Sequence, residues 1–316
     1  MSRTANGVCN GPGASMQPVE LLAPPGVGRS IVSLPEGPWA TLIDFFVQRF
    51  PAIARDEWIV RMQRGEVTNE QGASVRPEAR FVPHQRLYYY RSLPDEVRIP
   101  FDELVLYQDE FIVVADKPHF LPVTPSGRYL QETLLVRLKR KLRIDTLAPV
   151  HRIDRETAGL VLFTTQPHKR GSYQALFRDR TVDKRYEAIA PVRTDLTLPL
   201  IHASRLEEGD SFMTMHEVPG SPNAETRIEL IEALGELGRY SLRPTTGKRH
   251  QIRAHMAALG IPIVNDPIYP RLLPYALEPD YSRPLQLLAR SLEFTDPISG
   301  RLQRFESRHR LSLAQA

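Results

Sequence analysis

One carboxylate flanked by two arginines, at the foot of an apolar run, marks where this chain could do chemistry. The segment reads His151-Arg152-Ile153-Asp154-Arg155-Glu156-Thr157-Ala158-Gly159 and continues as Leu160-Val161-Leu162-Phe163. The apolar run predicts a buried strand of branched and aromatic residues, closed by Thr164-Thr165. Gly159 at its start predicts a tight turn or a close backbone approach. Asp154 then sits in a loop anchored by a rigid strand. Nearby positive charge favours the ionised carboxylate, which suits a nucleophile better than a general acid. The alternative is a salt-bridged aspartate that only orders the turn.

A second segment, Thr245-Thr246-Gly247-Lys248-Arg249-His250-Gln251-Ile252-Arg253-Ala254-His255-Met256, gathers basic and imidazole side chains behind a glycine. Ile252, His255, Met256 and Leu259 recur at helical spacing before Gly260-Ile261-Pro262 ends the helix. Arg249 and Arg253, four apart, are predicted to share a helix face. Such a helix start could present cations to phosphate and to a catalytic carboxylate, or be only a solvated basic face.

Taken with Lys184-Arg185-Tyr186-Glu187-Ala188 and Lys117-Pro118, these segments resemble the RluA-like family of RNA pseudouridine synthases over about Leu104 to Phe305. Some positions depart from the family pattern. His119-Phe120 stands where a small residue and glycine are common, and Asn265 stands where glycine is frequent. Leu288 and Asp296 replace frequent histidines. The resemblance implies Asp154 as the essential nucleophile in the isomerisation of a flipped-out uridine. It leaves open whether the carboxylate engages the base or C1′. It implies Tyr186 packing on the uracil as a candidate for proton transfer, Arg253 pairing with Asp154, and Arg152 filling the gap left by the base. Lys248, Arg249 and His250, with Arg137, Lys139 and Arg140 of the helix expected over Thr133 to Leu142, are candidate RNA contacts. No metal or cofactor is expected, since the reaction is a rearrangement. His250 and His255 lack the His-Glu-x-x-His pattern of a zinc site, and neither a nucleotide-binding glycine loop nor a Gly-x-Ser-x-Gly elbow is present. RNA, ribosomal or transfer, is the expected partner, and no obligate protein partner is indicated. The rival of another class is a non-catalytic RNA-binding assembly factor.

The predicted elements supply a scaffold for these residues. Strands at 104–107, 111–115, 186–190 and 226–231 alternate with helices at 133–142 and 173–177. This predicts an α+β fold: a mixed, largely antiparallel β-sheet flanked by helices, filling a catalytic domain over residues 98–316. Residues 38–97 hold two amphipathic helices, a hairpin predicted over 66–75 and a closing strand at Arg86–Tyr90. They resemble a small S4-like α/β RNA-binding module, with Arg49, Arg55, Arg61 and Arg64 facing phosphate. Residues 1–37, rich in Gly, Pro, Ala and Ser, are expected to be a disordered tail.

Composition fits this reading. The 316 residues carry 41 Lys and Arg against 37 Asp and Glu, a net charge of +4, which permits nucleic-acid binding. Cys9 is the only cysteine, so an internal disulfide and a cysteine metal cluster are excluded, and an exposed thiol in a reducing cytoplasm is expected. No apolar run reaches the roughly 18 residues of a membrane span.

Overall fold

A computed structural model describes residues 26–91, 93, 96–209, 211, 213–274 and 280–311. Two compact units divide between residues 92 and 93. The first contains β1 (Ser30–Ser33), α1 (Leu42–Arg49), α2 (Arg55–Gln63), β2 (Val67–Thr68) and β3 (Arg86–Tyr89), with strand order β1-β3-β2. Thr41 caps α1: its hydroxyl accepts from Asp44 N at 3.4 Å and donates to Asp44 Oδ2 at 2.6 Å, as the Thr-x-x-acid spacing predicts. Phe45, Phe46, Trp58, Leu87 and Tyr89 form the core of this unit.

Two expectations here are corrected. Ser30–Ser33 pair with β3 instead of continuing the tail, because Ile31 and Val32 alternate between solvent and core. Residues 1–25, including Cys9, lie outside the described residues. The hairpin expected over 66–75 forms: Thr68 and Ser74 bridge antiparallel, Val75 N donates to the Val67 carbonyl at 3.0 Å and Asn69 N to the Ala73 carbonyl at 2.9 Å. Asn69 organises its turn, its Oδ1 accepting from the amides of Gln71 and Ala73 at 3.0 and 2.9 Å. Arg61 does not face phosphate. It is 7% exposed, pairs with Glu57 and lies over the Trp58 ring, so its charge is already used inside the unit.

The second unit runs β4 (Leu104–Gln108), β5 (Ile112–Lys117), α3 (Leu134–Leu142), β6 (Ala148–Pro149), β7 (Ala158–Thr164), α4 (Arg170–Arg178), β8 (Asp183–Pro191), β9 (Leu200–Glu208), β10 (Met215–Val218), β11 (Ala224–Leu234), β12 (Leu237–Pro244), α5 (Gln251–Ala258), β13 (Leu287–Thr295) and β14 (Leu302–Glu306). Its strands form an 11-stranded sheet ordered β10-β9-β11-β12-β8-β13-β7-β5-β4, with β14 on β13 and β6 on β7. The β13–β7 pair is parallel; the other strand pairs are antiparallel. This is the α+β architecture expected.

The apolar run of β7 follows from its position. Val161 and Phe163 point with Val113 and Ala115 toward Leu134 and Leu138 of α3. Leu160 and Leu162 point with Ile112 and Val114 toward Tyr173 of α4. Alternate side chains leave opposite faces of a strand, so a strand covered on both faces must be apolar throughout. Burying each such side chain contributes about 1.5–3 kcal/mol. On another part of the sheet, Ile252 and Met256 of α5 pack on Ala188, Ala190, Tyr240 and Leu242.

Gly159 is required where β7 meets β13. Its φ is +110°, and a Cβ there would stand 2.3 Å from the Ala289 carbonyl oxygen and 2.7 Å from its nitrogen. Both obstacles are backbone, so the sheet itself would have to part. Gly159→Ala is therefore expected to destabilise the chain by about 2 kcal/mol or more. Gly171→Ala, within α4 and with open space at its Cβ, should be neutral or stabilising. Urea unfolding of both variants checks this; equal midpoints would contradict the close approach.

Candidate active site

Asp154 hangs in the turn between β6 and β7, and buried groups fix that turn from several sides. Its carbonyl accepts from Thr157 N at 3.2 Å. Lys117, fully buried at the end of β5, donates from Nζ to the carbonyls of Arg155 at 3.0 Å and Pro118 at 2.9 Å. Burial lowers its pKa to about 7, against the pull of Glu156 and Asp154. His119 donates from Nδ1 to the Glu156 carbonyl at 2.7 Å. On the other side, His151 Nε2 accepts from Leu162 N at 3.1 Å, and its ring stacks on Phe177 at 4.4 Å. Burial, aided by Lys184, lowers the His151 pKa to about 3. A neutral imidazole is required for that acceptor role.

The cation beside Asp154 is not one of its sequence neighbours. Arg155 turns to Glu156 at 2.8 Å and to the Tyr129 hydroxyl at 2.6 Å. Arg152 is exposed and its side chain makes no ion pair or hydrogen bond among the described residues. Arg253, 99 residues away, donates from Nη1 to Asp154 Oδ2 at 2.9 Å. Its Nε and Nη2 donate to both oxygens of Asp266 at 2.8 and 2.6 Å. Asp266 Oδ1 also accepts from the amides of Ile268 and Tyr269 at 2.8 and 3.1 Å. The guanidinium is 1% exposed and Asp266 0%, whereas Asp154 is 26% exposed. Burial opposes the charge of Arg253, but hydrogen bonding to Asp266 and the charge of Asp154 outweigh it and hold the guanidinium protonated. Asp266 neutralises the arginine from behind, and Asp154 faces the cavity.

The basic loop before α5 is stapled by Gln251. Its Oε1 accepts from the Thr246 hydroxyl at 2.6 Å and from Lys248 N at 3.1 Å. Its Nε2 donates to the Glu225 carbonyl at 2.9 Å and to Thr226 Oγ1 at 3.0 Å. His250 occupies the position before the helix with φ +52°, and its Nε2 lies 3.7 Å from Asp154 Oδ1. Burial lowers its pKa although Asp154 opposes that shift. Arg249 therefore precedes α5 and does not share a helix face with Arg253. It contacts Glu208 at 3.5 Å and the Thr214 carbonyl at 3.3 Å. Lys248 is exposed, and its ammonium makes no ion pair among the described residues.

These side chains line a cavity of about 690 Å³. Asp154, Tyr186 and Arg253 all reach it, as do Arg152, Lys248, Arg249 and His250. Tyr186 enters from β8, half-buried, and its hydroxyl makes no hydrogen bond among the described residues. Burial and then Asp154 push its pKa up, so the phenol stays protonated. Arg137, Lys139 and Arg140 are not brought to the cavity. Arg137 is a strut, bonding the carbonyls of Ile99 and Phe101 at 2.7 and 2.6 Å and pairing with Glu132 and Glu103. Lys139 is half-buried on α3, which lowers its pKa. Arg140 donates to Gln131 Oε1 at 2.6 Å. Arg64 and Arg61 belong to the other unit. The sequence reading assigned no role to Asp266, Phe177 or Lys117. An aspartate in the Asp266-Pro267-Ile268-Tyr269 turn carried no spacing signal toward Arg253. Among the described residues, the one grouping of His and carboxylate donors close enough to share a metal ion lies outside this cavity.

The comparisons agree with the geometry. The family described as RNA pseudouridylate synthase matches residues 111–258. The dual-specificity RNA pseudouridine synthase RluA of Pasteurella multocida is 30% identical over 214 residues, which cover 63% of this chain and 90% of that protein. An uncharacterized RNA pseudouridine synthase of Synechocystis is 28% identical, covering 72% of this chain and 79% of its own. The mitochondrial tRNA pseudouridine(32) synthase of Saccharomyces cerevisiae is 30% identical, and the match spans half (50%) of that enzyme. The human RNA pseudouridylate synthase domain containing 4 shares the fold with a TM-score of 0.51 at 24% identity, covering 67% of this chain and 89% of that one. Fold and family together mark an RNA-modifying isomerase. The chain belongs to the RluA-like family of RNA pseudouridine synthases, which convert uridine to pseudouridine in RNA.

Among the described residues the Lys117 ammonium hydrogen-bonds only backbone carbonyls, those of Pro118 and Arg155, so Lys117→Met is expected to misplace Asp154 while leaving the cavity's cations intact. Turnover under saturating RNA should fall by about 10- to 100-fold, with RNA affinity within about twofold of wild type. An unchanged kcat would show that the loop holds its place without the ammonium.

Proposed function

We propose that Asp154 is the essential nucleophile of this isomerisation, that Tyr186 and Arg253 complete the catalytic set, and that the substrate is structured ribosomal RNA. The observation that carries the reading is the single guanidinium shared between a buried carboxylate and a cavity-facing one. The reaction breaks the N1–C1′ bond, turns the base and joins C5 to C1′. The proton on C5 must leave and N1 must regain one, so no net electron transfer occurs. Arg253 keeps Asp154 aimed, because its planar fork is fixed by Asp266 on the other side. The free Tyr186 phenol at the cavity wall is suited to lie against the uracil and to relay the C5 proton. Arg152, exposed and unpartnered, is suited to stack in the gap that the flipped nucleotide leaves. Lys248, Arg249 and His250 offer positive charge to the flanking phosphates.

The ribosomal lean rests on the first unit, which we read as an S4-like RNA-binding module. Arg49 at the end of α1 and Arg64 just after α2 are exposed, although Arg55 pairs with Asp44 at 3.1 Å and Arg61 is internal. A transfer RNA substrate is the second reading, favoured by the similarity to the yeast enzyme named for tRNA position 32. The single cysteine fits a reducing cytoplasm. Among the described residues no helix is long and apolar enough to cross a membrane.

Tritium release from C5-labelled uridine tests the proposal. Wild type should release tritium without added metal or nucleotide, faster from ribosomal RNA transcripts than from transfer RNA. Asp154→Asn should bind RNA as wild type does and release none above background. Turnover by Asp154→Asn comparable to wild type would remove the nucleophile assignment, and preference for transfer RNA would reverse the substrate assignment.

A further inference from the structure

The fold assembles a second cluster of ligating atoms outside the cavity, from residues too far apart in sequence to suggest it. His202 lies on β9, Glu217 on β10 and His255 on α5. His202 Nε2 stands 2.6 Å from Glu217 Oε1. The two imidazole rings meet edge to face, 4.8 Å between centroids at 81°. One donor atom from each residue lies within 4.8 Å of the others. The zinc motif tested in the sequence paired His250 with His255, and the structure separates these: His250 faces Asp154, whereas His255 faces His202.

We propose that His202, Glu217 and His255 bind one divalent transition-metal ion, zinc being the best match, as a clip joining strands β9 and β10 to helix α5. Two imidazoles and one carboxylate form a ligand set that zinc takes readily, with water in the fourth position. Zinc–ligand bonds of about 2.0–2.2 Å place tetrahedral donors about 3.4 Å apart. Closing from the present spacing asks for shifts of roughly 1 Å, which His202 and Glu217 can make because both are partly exposed (20% and 29%). His255 is the fixed point. It is fully buried, with Nδ1 3.0 Å from Thr226 Oγ1 and Nε2 3.1 Å from Ser204 Oγ. The Thr226 hydroxyl orients the ring as outer hydrogen-bond partners of metal-bound imidazoles do, leaving Nε2 to exchange the Ser204 hydroxyl for the ion. Magnesium is a poor match, since it prefers octahedral oxygen ligands. The plainer alternative is a surface His202–Glu217 ion pair beside a histidine satisfied by two hydroxyls. That alternative needs no ion. The clip would steady α5 two residues from Arg253 and would take no part in the isomerisation.

The test uses the untagged full-length chain, stripped with chelator and dialysed against zinc. Wild type should retain one zinc per chain by elemental analysis and compete with a chromogenic chelator. The His202→Ala/Glu217→Ala double variant should bind at least about 100-fold more weakly. Cobalt should give the visible absorption of a tetrahedral site in wild type only. Zinc should raise the melting temperature of wild type and not of the variant, while the two melt alike without metal. The substitutions avoid buried His255, so the variant is expected to fold. Failure of wild type to retain stoichiometric zinc, or equal binding by the double variant, would overturn the proposal. Neither result bears on uridine isomerisation, which the tritium assay reads separately.

Discussion

A buried guanidinium needs compensating charge, and that requirement organises the catalytic unit. Arg253 is 1% exposed, and an uncompensated charge at such depth would cost several kcal/mol. Asp266 meets it with two hydrogen bonds and is itself held by two backbone amides. The remaining Nη1 points at Asp154, the partner open to the cavity. The geometry is asymmetric: one carboxylate is locked in the interior and the other is left accessible to substrate. A surface ion pair would give neither the fixed direction nor the low dielectric that make such a contact strong.

The rest of the unit serves to bring two distant chain segments to that contact. The sheet carries the Asp154 turn at the start of β7 and carries α5 across β8 and β12. Gly159 permits β7 to lie against Ala289 of β13. Lys117, His119 and His151 then hold the turn from both sides with single directed hydrogen bonds. Each of these three groups is buried or half-buried with a lowered pKa. Their desolvation is offset only when their partners are in place, so the loop is specified more narrowly than apolar packing alone would specify it.

What the sequence made legible divides along physical lines. The β7 strand, the α3 helix and the Thr41 cap were readable because periodicity and capping are local properties. The pairing of Arg253 with Asp154 came from family resemblance, not from spacing, since only the fold closes a gap of 99 residues. Asp266 went unassigned for the same reason. Charge runs were misread where they are buried: Arg61 lies over Trp58 and Arg137 ties down Ile99 and Phe101. Periodicity marks a face but not what packs on it. Departures from the family pattern have local explanations. Phe120 and Asn265 stand at positions where glycine is common and adopt φ of +67° and +61°. Packing of Phe120 against Phe101 and Tyr281, and a bond from Asn265 to the Pro284 carbonyl, offset that conformation. Asp296, where histidine is frequent, accepts from Tyr173 Oη at 2.7 Å and from the amides of the β13–β14 turn.

The central claim is that Arg253 acts through the geometry of a shared fork and not as a mere positive charge. Single-turnover rates of Arg253→Lys at low and high ionic strength test it most directly. A lysine keeps the charge but cannot bridge Asp266 and Asp154 with parallel N–H groups. The account predicts a rate at least about 100-fold below wild type, equally so at both salt concentrations, because the contact is buried and little screened. A near-wild-type rate at low salt that declines as salt rises would contradict it and would reduce Arg253 to a phosphate anchor.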